Sequence, residues 1–256
     1  HAISHEVLLT TRPISLDGKD VEAKRQQLLD YFVSTWEQYE ALFSALKDEA
    51  LYTTAESLRH PLIFYFGHTA TFYVNKMILA QFADARVDPE LEAMFAIGVD
   101  EMSWDDLDST HYDWPTTQVV KQYRDKVKVR ICAFIKSMQI TLPITQQCPA
   151  WLVLMGIEHE RIHLETSSVI IRMLDIDAVT EITGWEACHD KGAAPSNQLV
   201  PISPQRVNLG KATNDTTYGW DNEYGHKQVL VDEFEVSQHL VSNGEFLKFV
   251  DAGGYA

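Results

Sequence analysis

The chain has 256 residues, 45% of them hydrophobic and 23% charged, and its formal net charge is −16. This composition is typical of a globular protein and excludes a chain that is disordered throughout. The excess of acidic residues argues against a nucleic acid or an anionic membrane surface as the partner of the whole molecule.

The cellular compartment is predicted from the cysteines and from the apolar residues. Cys132, Cys148 and Cys188 are an odd, widely spaced set, which fits a reducing compartment better than a disulfide framework. No apolar run reaches the roughly 20 residues that a membrane span needs, and the polar start of the chain is unlike a signal peptide. We therefore expect a cytoplasmic protein. Because the chain begins at His1 and ends without an obvious terminal element, we also expect it to be part of a longer protein.

Apolar residues spaced three or four positions apart predict four long helices. These helices cover about residues 21–47, 61–82, 115–138 and 150–174. A connector with ten acidic residues and one arginine, residues 84–113, separates the second helix from the third. Four helices with one long crossover predict a four-helix bundle. Six basic residues between positions 121 and 136 of the third helix are expected to form a solvated face.

The helical spacing of apolar residues stops after residue 174, and Gly and Pro become frequent there. Residues 199–205 contain two prolines and predict a linker. We therefore place a domain boundary near residue 200. It separates a helical domain, residues 1–200, from a second domain, residues 201–256.

The second domain is predicted to contain short strands and one helix. Apolar residues in partial alternation predict strands at residues 207–209 and 229–236. A helix is predicted over residues 242–250, with Ser242 as its N-cap and Glu245 as the capping-box partner.

Two histidines of the fourth helix lie four positions apart, in the sequence EHERIHLE of residues 158–165. On a helix, His159 and His163 project from one face and can hold a single metal ion. Their helix is otherwise apolar, so the imidazoles need partners when they are buried. The alternative interpretation is a hydrogen-bonded pair of core histidines.

A third histidine, His68, lies in the middle of the apolar second helix and strengthens the metal interpretation. Its neighbour Gly67 allows another element to approach the helix closely. Three histidines on two buried helices of a bundle are typical of a metal site, and three neutral nitrogens leave open coordination positions. His60 is a rival ligand, but it precedes Pro61 at the start of the helix, and we expect it near the surface.

The two histidines of the fourth helix also satisfy the H-E-x-x-H pattern of zinc proteases, in which Glu160 would be the general base. The extended protease pattern fails, because Thr166 and Val169 stand where it requires Gly and a third His. Glu181 or Glu186 would then be the carboxylate ligand of a protease.

The helix with His68 and the later helix with residues 158–165 resemble the DinB-like helical domain of the non-haem iron sulfoxide synthases. The second domain is similar to the start of the formylglycine-generating-enzyme-like domain, of the C-type-lectin-like fold, that follows in that family. The similarity lies in residues 219–223, 229–236, 241–250 and 253–255. The resemblance therefore implies a mainly α protein, in which a DinB-like four-helix bundle precedes the truncated start of an α+β domain.

Two branches of this family make ergothioneine and ovothiol. Residues 57–68 and 98–107 resemble the ovothiol branch, the 5-histidylcysteine sulfoxide synthases. Arg161 and Ile162 stand where the ergothioneine branch usually has Gln. This departure favours the ovothiol branch and argues against trimethylhistidine as the substrate.

The resemblance implies a reaction in which Fe(II) and O2 couple L-cysteine to the imidazole ring of L-histidine and oxidise the sulfur to a sulfoxide. It also implies that the iron ligands are His68, His159 and His163. Iron rather than zinc follows from the resemblance, because the ligand set permits either metal. For Glu160 and Glu165 two roles stay open, either to orient the ligands or to be solvated charges.

The resemblance assigns no catalytic residue within this chain. In the family, the second domain supplies much of the substrate contact and a tyrosine for the oxygen chemistry, and most of that domain is expected beyond residue 256. Two other functions also stay open. A DinB-like thiol transferase would hold zinc or nickel at the same three histidines, and a non-catalytic binding module would use them as core residues or as a structural metal site.

Overall fold

A computed structural model describes residues 13–96, 112–181 and 192–256. Three features named above lie outside the described residues: the segment 98–107, Glu186 and Cys188. The chain divides into two compact units. The first comprises residues 1–186 with 216–218, and the second comprises residues 187–215 with 219–256.

The prediction of a four-helix bundle is confirmed in the first unit. The long helices of the described residues are α1 (Val21–Ser44), α2 (Leu62–Leu79), α4 (Thr117–Ser137) and α5 (Pro149–Ile171). Helix α1 packs against α4 and α5, and α2 packs against the same two helices. Helix α2 is the most deeply buried of the four, since every residue from Leu62 to Thr71 is buried.

Capping side chains and a proline mark the starts of three of these helices, close to the positions that the sequence predicts. The Asp20 side chain accepts hydrogen bonds from the first-turn amides of α1, and the Thr116 side chain accepts one from Val119. Pro149 occupies the first turn of α5, where its missing N–H costs no hydrogen bond. The caps satisfy amides that the helices themselves leave unpaired.

The core between the helices is aromatic and aliphatic. Its largest fully buried apolar side chains are Trp36, Tyr39, Tyr73, Phe32, Phe64, Phe95, Leu28, Leu62, Ile63, Ile131 and Ile135. Gly156 of α5 lies against Tyr73 of α2, and a Cβ atom at Gly156 would overlap the tyrosine ring. The glycine therefore lets α5 approach α2 closely, and these are the two helices that carry the histidines.

The acidic connector contains a short helix, α3 (Pro89–Met94), that the sequence analysis did not predict. Two neighbouring residues favour the start of this helix, since Asp88 is its N-cap and Pro89 occupies its first turn. The buried carboxylate of Glu92 accepts from the amides of Val87 and Asp88 and forms an ion pair with Arg86. These hydrogen bonds and the ion pair hold α3 to the segment before it, and α3 packs against α2.

The second unit contains two antiparallel strand pairs and a helix. Strand β1 (Leu199–Ile202) pairs with β4 (Phe234–Ser237), and β2 (Gln205–Leu209) pairs with β3 (Lys227–Val231). Helix α6 (Asn243–Asp251) begins with the predicted capping box of Ser242 and Glu245. No helix among the described residues is long and apolar enough to cross a membrane.

The prediction of a linker at residues 199–205 is wrong, because most of this segment lies in strands β1 and β2. Pro201 stands opposite Glu235 in a pair of only two strands. Among the described residues each strand of this pair has one edge without a partner strand, so a residue without an N–H is tolerated there.

Candidate metal centre

The structure brings together the three histidines that the sequence analysis selected. His68 lies in the middle of α2, and His159 and His163 lie one turn apart on α5. Each is at most 9% exposed. Their ring nitrogens form a group in which the ligand atoms all lie within 4.8 Å of one another.

The Nε2 atoms of the three rings face one another. The Nε2 atom of His159 lies 3.2 Å from that of His68 and 3.2 Å from that of His163. Metal–nitrogen bonds of about 2.0–2.1 Å at a tetrahedral or octahedral centre place neighbouring ligand nitrogens roughly 3 Å apart. The three imidazoles therefore fit a single first-row metal ion.

A backbone carbonyl fixes the tautomer of His68. The Nδ1–H group of His68 donates to the carbonyl oxygen of Phe95 at 2.7 Å, and because a carbonyl only accepts, the proton must be on Nδ1. The lone pair is then on Nε2, the atom that faces the other two imidazoles. Metal-bound histidines commonly have their outer nitrogen oriented in this way.

Aromatic packing holds the other two imidazoles. The ring of Phe72 stacks on His159 with 3.7 Å between centroids, and Tyr65 lies beside His163 at 5.7 Å. The Nδ1 atoms of both histidines are buried and have no hydrogen-bond partner among the described residues. On the Nδ1 side, ring contacts rather than hydrogen bonds therefore hold the two imidazoles.

Burial keeps the two histidines of α5 neutral. It lowers the pKa of His163 to about 3, with the neighbouring His68 as a further cause. Burial, and then the nearby His163 and His68, hold the pKa of His159 well below its usual value. A neutral imidazole has the free electron pair that a metal ligand requires.

The burial of Glu160 excludes one of its two predicted roles, that of a solvated charge. Its carboxylate is fully buried and accepts hydrogen bonds from Arg124, Thr69 and Tyr73, so it is neither solvated nor bonded to a histidine. Burial raises the pKa of Glu160, and the Arg124 guanidinium opposes this shift. A carboxylate committed to these donors is a poor candidate for the general base of a zinc protease. Glu165 is exposed, as expected of a solvated charge.

The remaining candidates lie outside the cluster. His60 is 4% exposed and packs against Phe64 and Trp114, so the expectation that it lies near the surface is wrong. Tyr112, at the end of the acidic connector, and Trp114, directly after it, cover the His60 ring. Glu181, one of the two carboxylates considered as a protease ligand, is exposed. Among the described residues, the group that could bind a metal ion consists of the three histidines without a carboxylate.

Two groups near the site were missed by the sequence analysis. Arg124 is fully buried, although it belongs to the basic stretch expected to be a solvated face. A signal for its burial exists, because it lies four positions after Val120 and three before Val127, both of which are buried. The carbonyl of Phe95 has no such signal, since any residue carries a carbonyl.

Comparisons with known proteins agree with the architecture of the first unit. The model of the DinB superfamily matches residues 31–167, more than half of the chain. The chain is 26% identical over 241 residues to "Ergothioneine biosynthesis protein 1" of Schizosaccharomyces pombe, covering 80% of this chain and 30% of that protein. It is 25% identical over 244 residues to the protein of the same name from Neurospora crassa, covering 87% of this chain and 27% of that protein.

The chain thus spans less than a third of the length of the curated relatives it matches. Their similarity extends over most of this chain. The match of the family model over more than half of its length, which includes the three histidines, shows that the chain belongs to the DinB superfamily.

Proposed function

We propose that the chain is the metal-binding part of a non-haem Fe(II), O2-dependent sulfoxide synthase that joins cysteine to the imidazole ring of histidine or a histidine derivative. The observation that carries the proposal is the convergence of the Nε2 atoms of His68, His159 and His163. It is supported by the DinB superfamily match and by relatives named for ergothioneine biosynthesis.

The proposed reaction balances with one molecule of O2. The thiol S–H and an imidazole C–H bond are broken, and a carbon–sulfur bond is formed. One oxygen atom becomes the sulfoxide oxygen, and the other leaves as water with the two hydrogens. The four electrons that reduce O2 come from the thiol and the imidazole, so no further reductant is needed.

The histidines of the chain would hold the iron and leave part of its surroundings open. Bound Fe(II) would supply the redox chemistry and the positions at which the reactants meet. His68, held by the Phe95 carbonyl, presents one nitrogen in a fixed tautomer. His159 and His163 present two more from an apolar environment that keeps them neutral. Iron is assigned from the family resemblance, because three imidazoles by themselves accept zinc as well.

Two histidine substrates are candidates. The departure at Arg161 and Ile162 from the ergothioneine pattern favours L-histidine, with 5-histidylcysteine sulfoxide as the product and ovothiol as the end of the pathway. The names of the relatives favour trimethylhistidine, the substrate of an ergothioneine-type enzyme. Incubation of the full-length protein with each of the two substrates separates these candidates.

The proposal extends to the second domain and to the location of the protein. We propose that residues 201–256 are the N-terminal part of a formylglycine-generating-enzyme-like domain and that the protein acts in the cytoplasm. Helix α6 supports this domain assignment, because Phe246, Leu247 and Phe249 are each about half exposed, as in a fragment of a larger core.

The test uses the full-length protein that carries this sequence. It is incubated with Fe(II), O2, L-cysteine and either L-histidine or trimethylhistidine, and the products are identified by mass spectrometry. A cysteine–histidine sulfoxide formed from L-histidine supports the ovothiol branch. A product formed only from trimethylhistidine assigns the protein to the ergothioneine branch.

A negative result is also informative. No adduct from either substrate, together with tightly bound zinc or nickel, would contradict the oxygen-dependent reaction and favour a metal-dependent thiol transferase of the DinB type. No tightly bound divalent ion at all would favour the core-histidine interpretation.

A further inference from the structure

Arg124 of α4 is a fully buried charge inside the bundle. A guanidinium in an apolar interior needs acceptors for its N–H groups, because a buried charge without partners is strongly unfavourable. The hydrogen-bond acceptors of Arg124 therefore show which helices this side chain connects.

The side chain of Arg124 contacts the other three long helices. It donates hydrogen bonds to Glu40 Oε1 of α1 at 3.3 Å, the Phe66 carbonyl of α2 at 2.9 Å, Thr69 Oγ1 of α2 at 2.9 Å and Glu160 Oε1 of α5 at 3.1 Å. Its guanidinium carbon also lies 4.1 Å from the ring centroid of Trp36 in α1 and 4.8 Å from that of Phe66. One residue of α4 thus joins α1, α2 and α5.

The partners of Arg124 stand next to the histidines. Thr69 follows His68 along α2, and Glu160 follows His159 along α5. The Thr69 hydroxyl also donates to the Glu160 carboxylate at 3.3 Å, so the two partners contact each other as well as the guanidinium. Because neighbouring residues of a helix are held rigidly, a contact that fixes Thr69 against Glu160 also fixes His68 against His159.

The shape of the guanidinium makes this contact sensitive to the relative position of the helices. Its donors form a planar, rigid fork, so they cannot reach the same acceptors after one helix slides by a residue, which is about 1.5 Å. Such a slide would also change the 3.2 Å separation between the Nε2 atoms of His68 and His159. Metal–ligand distances tolerate deviations of only about 0.2 Å.

We propose that Arg124 and Glu160 are positioning residues of the metal centre. As a buried ion pair they hold α2 and α5 in the register at which His68 and His159 bind one metal ion. They act through the helices, since Arg124 bonds to Glu40, Phe66, Thr69 and Glu160, and Glu160 bonds to Arg124, Thr69 and Tyr73. This inference rests on the proposed metal site but not on the substrate or on the chemistry with O2.

Co(II) binding tests the proposal, because its affinity and its visible absorption spectrum report the ligand geometry without any catalytic turnover. Arg124→Met removes the fork and keeps an unbranched side chain, whereas Glu160→Gln keeps the shape and removes the charge. We expect each to weaken Co(II) binding by about 10- to 100-fold and to alter the absorption spectrum, in a chain whose far-UV circular dichroism remains helical. Arg124→Lys keeps the charge without the fork, and we expect it to restore only part of the affinity.

Lys128→Met is the matched control. Lys128 lies one turn further along α4 and forms a partly exposed ion pair with Glu37 of α1 at 3.2 Å, so its loss removes an interhelical pair that contacts none of the three histidines. We expect this variant to keep the Co(II) affinity and spectrum of the wild-type chain even if its melting temperature falls.

A folded Arg124→Met or Glu160→Gln chain with wild-type Co(II) affinity and spectrum would overturn the proposal. The pair would then only stabilise the fold. If Arg124→Met does not fold, Glu160→Gln decides between the same two outcomes. A wild-type chain that binds no Co(II) would overturn the metal centre and this inference with it, whereas absence of a sulfoxide product with intact Co(II) binding would contradict the proposed function alone.

Discussion

The Nδ1 atom of His68 lies 2.7 Å from the backbone oxygen of Phe95. This contact depends on Gly67, because a Cβ atom there would overlap the Phe95 ring. The ring is fully buried, so it cannot move aside without displacing the carbonyl attached to the same residue. Gly67 therefore determines how closely the end of α3 approaches α2 and how firmly His68 is oriented.

We expect Gly67→Ala to weaken metal binding by about 10-fold or more, since losing the outer partner of a ligating histidine typically costs 10- to 100-fold in affinity. Competition of the purified chain with a chromophoric chelator for Zn(II) measures this change. Gly244→Ala is the control, because an added Cβ at this helical glycine has nothing within 4 Å. Unchanged Zn(II) affinity in Gly67→Ala would show that the Phe95 carbonyl is dispensable.

In the full-length protein, the proposed function predicts that His159→Ala and His163→Ala each abolish iron binding and product formation, because two remaining imidazoles are too few to hold the ion. Metal analysis of the purified variants and mass spectrometry of their products measure the two effects. His226→Ala, which removes an exposed histidine of the second unit, should change neither. Full activity in either of the first two variants would show that the ligand assignment is wrong.

The metal-free chain should lose stability as the pH falls below about 6.5. In the folded state burial depresses the pKa values of His159 and His163, the latter to about 3, whereas unfolded histidines titrate near 6.5. Between these values the unfolded state binds more protons, so the free energy of unfolding rises with pH and levels off above 6.5. His163 alone should contribute roughly 2 kcal/mol of lost stability between pH 7 and pH 5, and His159 should add to the loss in the same direction.

Urea unfolding of the metal-free chain at pH 7 and pH 5 measures this loss. The double variant His159→Gln/His163→Gln should show a clearly smaller loss than the wild-type chain, because glutamine does not titrate. His226→Gln provides the comparison for the removal of an exposed histidine. An equal loss in the double variant and the wild-type chain would contradict the depressed pKa values.

Gly156→Ala should destabilise the first unit. The new Cβ would overlap the ring of Tyr73, which is fully buried and donates to Glu160. Overpacking of this kind costs about 1–3 kcal/mol, and the better helix propensity of alanine recovers at most about 1 kcal/mol. Urea unfolding measures the net change in the free energy of unfolding.

A double-mutant cycle identifies the cause of that change. If the overlap with Tyr73 is responsible, Gly156→Ala should cost much less in a Tyr73→Leu background, where the ring is absent. The same cost in both backgrounds would locate the strain elsewhere in the contact between α2 and α5.

The features that could be predicted from the sequence depend on residues a few positions apart. Apolar spacing predicted the four long helices, and the capping box was predicted from Ser242 and Glu245, which are three positions apart. The spacing of His159 and His163 placed both on one face of α5, because a helix brings residues four apart together. His68 completes the candidate set because three histidines on two buried helices of a bundle are typical of a metal site.

Which groups from distant parts of the chain meet depends on how the helices pack, and no sequence pattern predicted it. His68 and His159 are 91 residues apart, Arg124 and Glu160 are 36 apart, and His68 and Phe95 are 27 apart. The basic stretch of α4 was predicted to be a solvated face, yet Arg124 is buried because acceptors from three other helices surround it. A sequence pattern reports the chemistry of a side chain and its neighbours within a turn, whereas burial and pairing over such separations depend on how the helices pack.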